Sequence, residues 1–167
     1  MIEVKKLEKH DAASYRNIRL AALYNSPDSF GTLYVEEATM TVDKFEEKIP
    51  VDNNSFVLGC YKDRDLIGIV AFYQESRTKV RHKAYIRSMY VQPEYRKIGI
   101  GKLLLNELIT RAKAIEEIEI LLLDVVTNNL AAKQLYLSFG FQIYGLEKMA
   151  YKLNHQYFDL ESMSLQI

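Results

Sequence analysis

Apolar residues recur along this chain at two alternating periods, and the switches between them lay out its elements. Ile2, Val4 and Leu7 alternate with polar neighbours and predict a short first strand. Tyr15, Ile18, Ala22 and Leu23 then fall on one face of a helix, with Asp11 placed to cap it and Ser26-Pro27 to end it. A second helix is expected between Val35 and Lys48. Ser55 to Tyr61 and Leu66 to Tyr73 are apolar runs flanking the polar turn Lys62-Asp63-Arg64-Asp65, which predicts a hairpin. A basic turn, Arg77 to Lys83, leads to a central strand in which Ala84, Ile86, Met89 and Val91 are apolar; the alternation slips near Ser88, as it would at a bulge. Pro93 ends that strand, because it has no N–H to donate.

After Pro93 the period becomes helical, with Ile100, Leu104, Leu108 and Ala112 on one face. Ile120 to Val126 is apolar enough for a strand covered on both sides. Asn128 or Asn129 can cap the next helix, which carries Ala132, Leu135, Tyr136 and Phe139 and stops at Gly140. Phe141 to Leu153 and Gln156 to Gln166 predict two closing strands. The order β-α-α-β-β-β-α-β-α-β-β implies an α/β mixed sheet, with the middle strands paired as antiparallel hairpins and the later strand-helix-strand units giving parallel neighbours.

The chemistry concentrates where the central strand meets the helix that follows it. In Arg96-Lys97-Ile98-Gly99-Ile100-Gly101-Lys102, two residues without Cβ stand at a helix start, so free N–H groups, the helix dipole and three cations share one concavity. That is an anion site. A P-loop would need glycine where Arg96 stands, and a dinucleotide fingerprint would need glycine where Leu104 stands, so ATP and NAD are disfavoured. The remaining pattern, Arg-x-x-Gly-x-Gly after a strand ending in Val-x-Pro, resembles the acyl-CoA signature of the GNAT N-acetyltransferase family. Farther on, Asn129, Ala132, Leu135, Tyr136, Gly140 and Phe141 resemble that family's second conserved region, in the expected order and context. The two lie within residues 84–114 and 125–141, and the element order matches over nearly the whole chain.

The resemblance implies acetyl-CoA as co-substrate and transfer of its acetyl group to a primary amine of a small molecule or protein N-terminus, by direct attack in a ternary complex. It implies coenzyme contacts at Met89, Tyr90, Val91, Arg96, Lys97, Ile98, Gly99, Ile100, Gly101, Lys102, Asn129 and Ala132, with Tyr136 as proton donor to the departing thiolate. A strand N–H at Met89 or Val91 would polarise the thioester carbonyl. For Asn129, capping and coenzyme contact are compatible roles. The segment from Ser26 to Glu37 and the last hairpin would wall the acceptor site. Some relatives carry a glutamate base at the position of Tyr85 here, so no carboxylate is carried over; Glu36, Glu37, Tyr85, Asp124, His82 and an ordered water all remain open. A non-catalytic acyl-CoA-binding or sensing module is the alternative reading.

Composition narrows the partners. The 167 residues suit one domain and balance 22 basic against 22 acidic side chains, so no overall field favours nucleic acid or an anionic membrane. No apolar run approaches the ~20 residues of a membrane span, and Met1 to Lys6 has no signal core, so a cytoplasmic protein is expected. Cys60 stands alone in an apolar strand, where a small buried thiol is expected rather than an acyl-enzyme nucleophile. No His/Cys spacing suggests a metal. Dimers are frequent in the family, and no stretch here specifies an interface.

Overall fold

The strands β2 (Ser55–Lys62) and β3 (Asp65–Gln74) are buried along almost their whole length, as the unbroken apolar runs require, because helices cover both of their faces. The computed structural model describes residues 1–167. A seven-stranded sheet runs β1-β2-β3-β4-β5-β7-β6, where β1 is Ile2–Lys6, β4 Lys83–Val91, β5 Ile120–Val126, β6 Gln142–Leu153 and β7 Gln156–Gln166. Helices α1 (Ala12–Asn25), α2 (Tyr34–Ala38) and α3 (Val42–Glu47) precede the hairpin; α4 (Ile100–Lys113) follows β4 and α5 (Leu130–Ser138) follows β5.

Period-two alternation gives the sheet two apolar faces. On one, Phe56, Phe72, Ala84 and Ile86 pack against Ile100, Leu104, Leu108 and Ala112 of α4. On the other, Val57, Ile69, Ala71 and Tyr90 meet Tyr15, Ile18 and Ala22 of α1 and Phe45 of α3. Each fully buried Leu, Ile or Phe contributes about 1.5–3 kcal/mol through removal from water, so these two stripes hold the helices in place.

Three expectations are corrected. The single helix foreseen between Val35 and Lys48 is two, because the chain turns at Thr39–Thr41 and the Thr41 hydroxyl accepts from the Lys44 N–H at 3.4 Å to start α3. Asp11 precedes α1 without capping it: its carboxylate instead accepts the Glu8 N–H and the Tyr61 hydroxyl, both at 2.9 Å. Only β4 and β5 are parallel neighbours. The second strand-helix-strand unit leaves β5 and β6 apart, because β7 inserts between them and pairs antiparallel with both. The reason is in the side chains. Leu160 and Met163 of β7 are buried, whereas β6 is mostly exposed and broken in register, which suits an edge. Asn154 and His155, both at positive φ, make the tight turn that folds β7 back.

Candidate active site

Strands β4 and β5 pair only where Lys83–Tyr85 meet Ile120–Leu122, although β4 continues to Val91 and β5 to Val126. Beyond that short ladder the sheet splits, and the gap opens towards the start of α4. A bulge sets what faces it. Arg87 and Tyr90 of β4 pair with Ala71 and Ile69 of β3, so three steps on one strand oppose two on the other, with Ser88 at φ 55°. The bulge carries the core-facing set from Ala84 and Ile86 to Met89 and Val91, which is the slip legible in the sequence. Gln92 donates to Ile67 O of β3 at 2.9 Å, so alternation turns the Val91 N–H away from β3, towards the gap.

The turn into α4 is built for the same gap. Lys97 (φ 64°) and Gly99 (φ 91°) adopt left-handed backbone, and Gly99 caps the helix. The first intrahelical bond runs from Leu103 N–H to Gly99 O, which leaves the N–H groups of Ile100, Gly101 and Lys102 without partners in the chain. Arg96 braces the turn: its Nε donates to Val91 O at 2.9 Å and its guanidinium lies over Tyr90, 5.5 Å from the ring centroid. A Cβ on Gly101 would meet Leu135 at 3.1 Å and Met89 at 3.5 Å, so this glycine keeps the cleft floor clear.

Two cavities meet here. The first, of about 690 Å³, is lined by Met89, Tyr90, Val91, Arg96, Lys97, Gly99, Ile100, Gly101, Lys102, Asn129 and Ala132 among others. Every expected coenzyme residue except Ile98 therefore borders one space; Ile98 is 59% exposed and lies outside that lining. The second, of about 660 Å³, is walled by Tyr15, Arg19, Glu37, Tyr73, Tyr85, Arg87, Asp124, Tyr136 and Tyr151. Ser29, Phe30, Met89, Asn129 and Ala132 border both. The Asn129 Oδ1 accepts from the Ala132 N–H at 3.2 Å, capping α5, while its Nδ2 donates to Ser29 Oγ at 3.5 Å.

Of the base candidates, only Glu37, Tyr85 and Asp124 reach the second cavity. Glu36 accepts the Leu33 N–H at 2.6 Å in the cap of α2. Glu37 is buried, which pushes its carboxyl up, but the hydrogen bonds and charges of Arg19 (3.2 Å) and Lys48 (3.1 Å) outweigh this and hold it below the usual carboxylate range. It is a structural anion. Asp124 Oδ1 accepts the Ser162 hydroxyl at 2.6 Å. Tyr136 is buried against Phe141, and burial holds its phenol above the ordinary tyrosine value; its hydroxyl makes no hydrogen bond within the chain. Cys60 is fully buried, and burial pushes its thiol up. No residue of the basic turn Arg77 to Lys83 borders either cavity, and Arg81 pairs with Glu117 at 3.0 Å.

Sequence reasoning missed Tyr15, Arg19, Tyr73, Arg87 and Tyr151. Arg19 left a signal, since it occupies the apolar stripe of α1 four residues after Tyr15. The others read as ordinary strand or helix residues until the fold brings them together.

The split sheet, the turn with free amides and the two adjoining cavities form one candidate site. The acetyltransferase (GNAT) family model matches residues 19–141. The chain is 30% identical to the N-alpha-acetyltransferase RimI of Mycobacterium tuberculosis over 122 residues, 73% of each protein. A GNAT-family acetyltransferase from Streptococcus pneumoniae superposes with TM-score 0.90 at 25% identity, covering 100% of this chain and 99% of that one. The putative acetyltransferase yncA from Salmonella typhimurium, solved with acetyl-CoA, superposes with TM-score 0.86 at 21% identity, covering 99% and 93%. The chain belongs to the GNAT family of acetyltransferases, whose acyl donor is acetyl-CoA. No helix is long and apolar enough to cross a membrane.

Proposed function

We propose that this protein acetylates a primary amine of a small molecule or protein N-terminus, by direct attack of that amine on acetyl-CoA in a ternary complex. The observation that carries the reading is the wall shared by the two cavities at Ser29, Phe30, Met89, Asn129 and Ala132, where a donor in one and an acceptor in the other would touch. The donor supplies a thioester. The free amides of Ile100 to Lys102, with Arg96 and Lys97 beside them, hold its diphosphate, and the Val91 N–H faces the gap where its amide-bearing arm would run.

Tyr136 stays protonated at neutral pH, because burial raises a phenol that already titrates near ~10. An ordinary thiol titrates near ~8.5, so full proton transfer from this phenol is uphill. Its role is a hydrogen bond to the sulfur as charge develops there. Asp124, with one carboxylate oxygen held by Ser162, receives the incoming ammonium and passes a proton to solvent.

The test is free-thiol release with acetyl-CoA and polyamines, amino acids, aminoglycosides and peptide N-termini as acceptors. Turnover is expected with at least one class. Tyr136→Phe and Asp124→Asn should each lower kcat by about 10²-fold or more while coenzyme A affinity stays. Tight coenzyme A binding with no thiol released from any acceptor refutes catalysis and leaves a binding module.

A further inference from the structure

Two opposite charges line the second cavity, Arg87 and Asp124, both on exposed residues and neither in an ion pair within the chain. Arg87 of β4 has no carboxylate within ion-pair distance, and its guanidinium lies 5.2 Å from the Tyr85 ring centroid. Asp124 of β5 has no cation partner and spends one oxygen on Ser162. The remaining charges of the cavity are already committed to one another, because Arg19 and Lys48 both clamp Glu37. Two cations on one carboxylate, with Arg87 and Asp124 added, leave the wall one positive charge in surplus. Tyr73, Tyr85 and Tyr151 border the same space, and their hydroxyls make no hydrogen bond within the chain. The charge of Arg87 reaches all three phenols and that of Asp124 reaches Tyr85 and Tyr151, with Glu75 also near Tyr85 and Glu147 near Tyr151, neither of which lines the cavity.

We propose that the acceptor is a small zwitterion of the α-amino-acid class, its ammonium received by Asp124 and its carboxylate by Arg87. The inference rests on the acetyl-transfer reading above and names the substrate for it. An arginine fork matches a carboxylate in two parallel hydrogen bonds, and the tyrosine hydroxyls supply further donors. A peptide N-terminus brings the ammonium but sets a neutral amide before Arg87. A polyamine brings a second cation into a wall that already has a positive surplus. In the reaction, the amine nitrogen bonds the acetyl carbon as the carbon–sulfur bond breaks. The ammonium loses two protons through Asp124 to solvent, and the departing thiolate, hydrogen-bonded by Tyr136, takes one proton back from solvent, so one proton is released per turnover.

The experiment compares leucine, phenylalanine and glutamate with their α-amides and with a tetrapeptide, by thiol release and by calorimetric titration onto the protein–coenzyme A complex. The free acids should exceed their amides at least tenfold in kcat/KM, and Arg87→Gln should bring acid and amide to within about threefold, chiefly through KM for the acid. Amides or the tetrapeptide turning over as well as the acids, or an acid preference that survives Arg87→Gln, overturns the proposal while acetyl transfer stands. Arg87-dependent binding of the acids without turnover upholds the zwitterion site and refutes catalysis. Acids that neither bind nor react overturn it outright.

Discussion

Gly99 shows how one residue sets the coenzyme turn. A Cβ there would meet nothing within 4 Å, so the demand for glycine comes from its φ of 91° alone. Gly99→Ala should therefore cost about 1–2 kcal/mol of left-handed strain, paid in looser coenzyme A binding as the first turn of α4 shifts. Gly99→Asn, which tolerates left-handed backbone, should recover part of that affinity, and calorimetry on both variants decides the matter. Equal affinity for wild type and Gly99→Ala would show that the turn does not hold the diphosphate. The motif led to Gly99 and equally to Ile98, which is exposed and outside the cavity lining; spacing along the chain does not distinguish main-chain from side-chain contact. Tyr136 was legible by motif, whereas its burial and raised phenol depend on Phe141 and the surrounding core.

At the scale of elements, α1 holds α2 and the turn that follows it in place beside the second cavity. Arg16 donates to the carbonyls of Ala38 and Met40, both at 2.9 Å, and Arg19 grips Glu37. Arg19 also reaches Ser88 Oγ at the bulge, at 3.4 Å, which links α1, α2 and β4. Glu37→Ala removes the anion from between two cations and should destabilise the protein by about 3 kcal/mol, read as a lower urea midpoint with unchanged slope. Unchanged stability would mean that Arg19 and Lys48 find other partners. The helices α1, α4 and α5 were legible from their apolar stripes. The division of α2 from α3 was not, because each is too short for periodicity to register, and their placement relies on Arg16 and Arg19 reaching across from α1.

For the whole molecule, the shifted groups define a pH window. Burial raises the phenols of Tyr15, Tyr61, Tyr73 and Tyr136, so the folded chain binds protons more tightly than the unfolded one. Their contribution is complete below about pH 10 and is lost as pH climbs through the raised values. Glu37 has the opposite sign: its carboxyl is held low, so its contribution is present above the ordinary carboxylate range and is lost as pH falls through the lowered value. Tm should be flat near neutrality, fall steeply above about pH 10, and fall again in acid; in Glu37→Ala the acid limb should be shallower. A Tm that holds well above pH 10 would show those phenols to be solvated.

Local features were decided by the chain itself. Alternation, helical stripes, prolines, glycines and the slip at Ser88 act over a few residues, so strands, helices, bulge and amide-bearing turn follow from neighbouring positions. The order of the closing strands and the walls of the second cavity were decided only in three dimensions. Arg19, Glu37, Arg87, Asp124 and Tyr151 come from five different elements, and charges far apart in the chain become partners, or remain unpaired, only through the packing of sheet and helices around them.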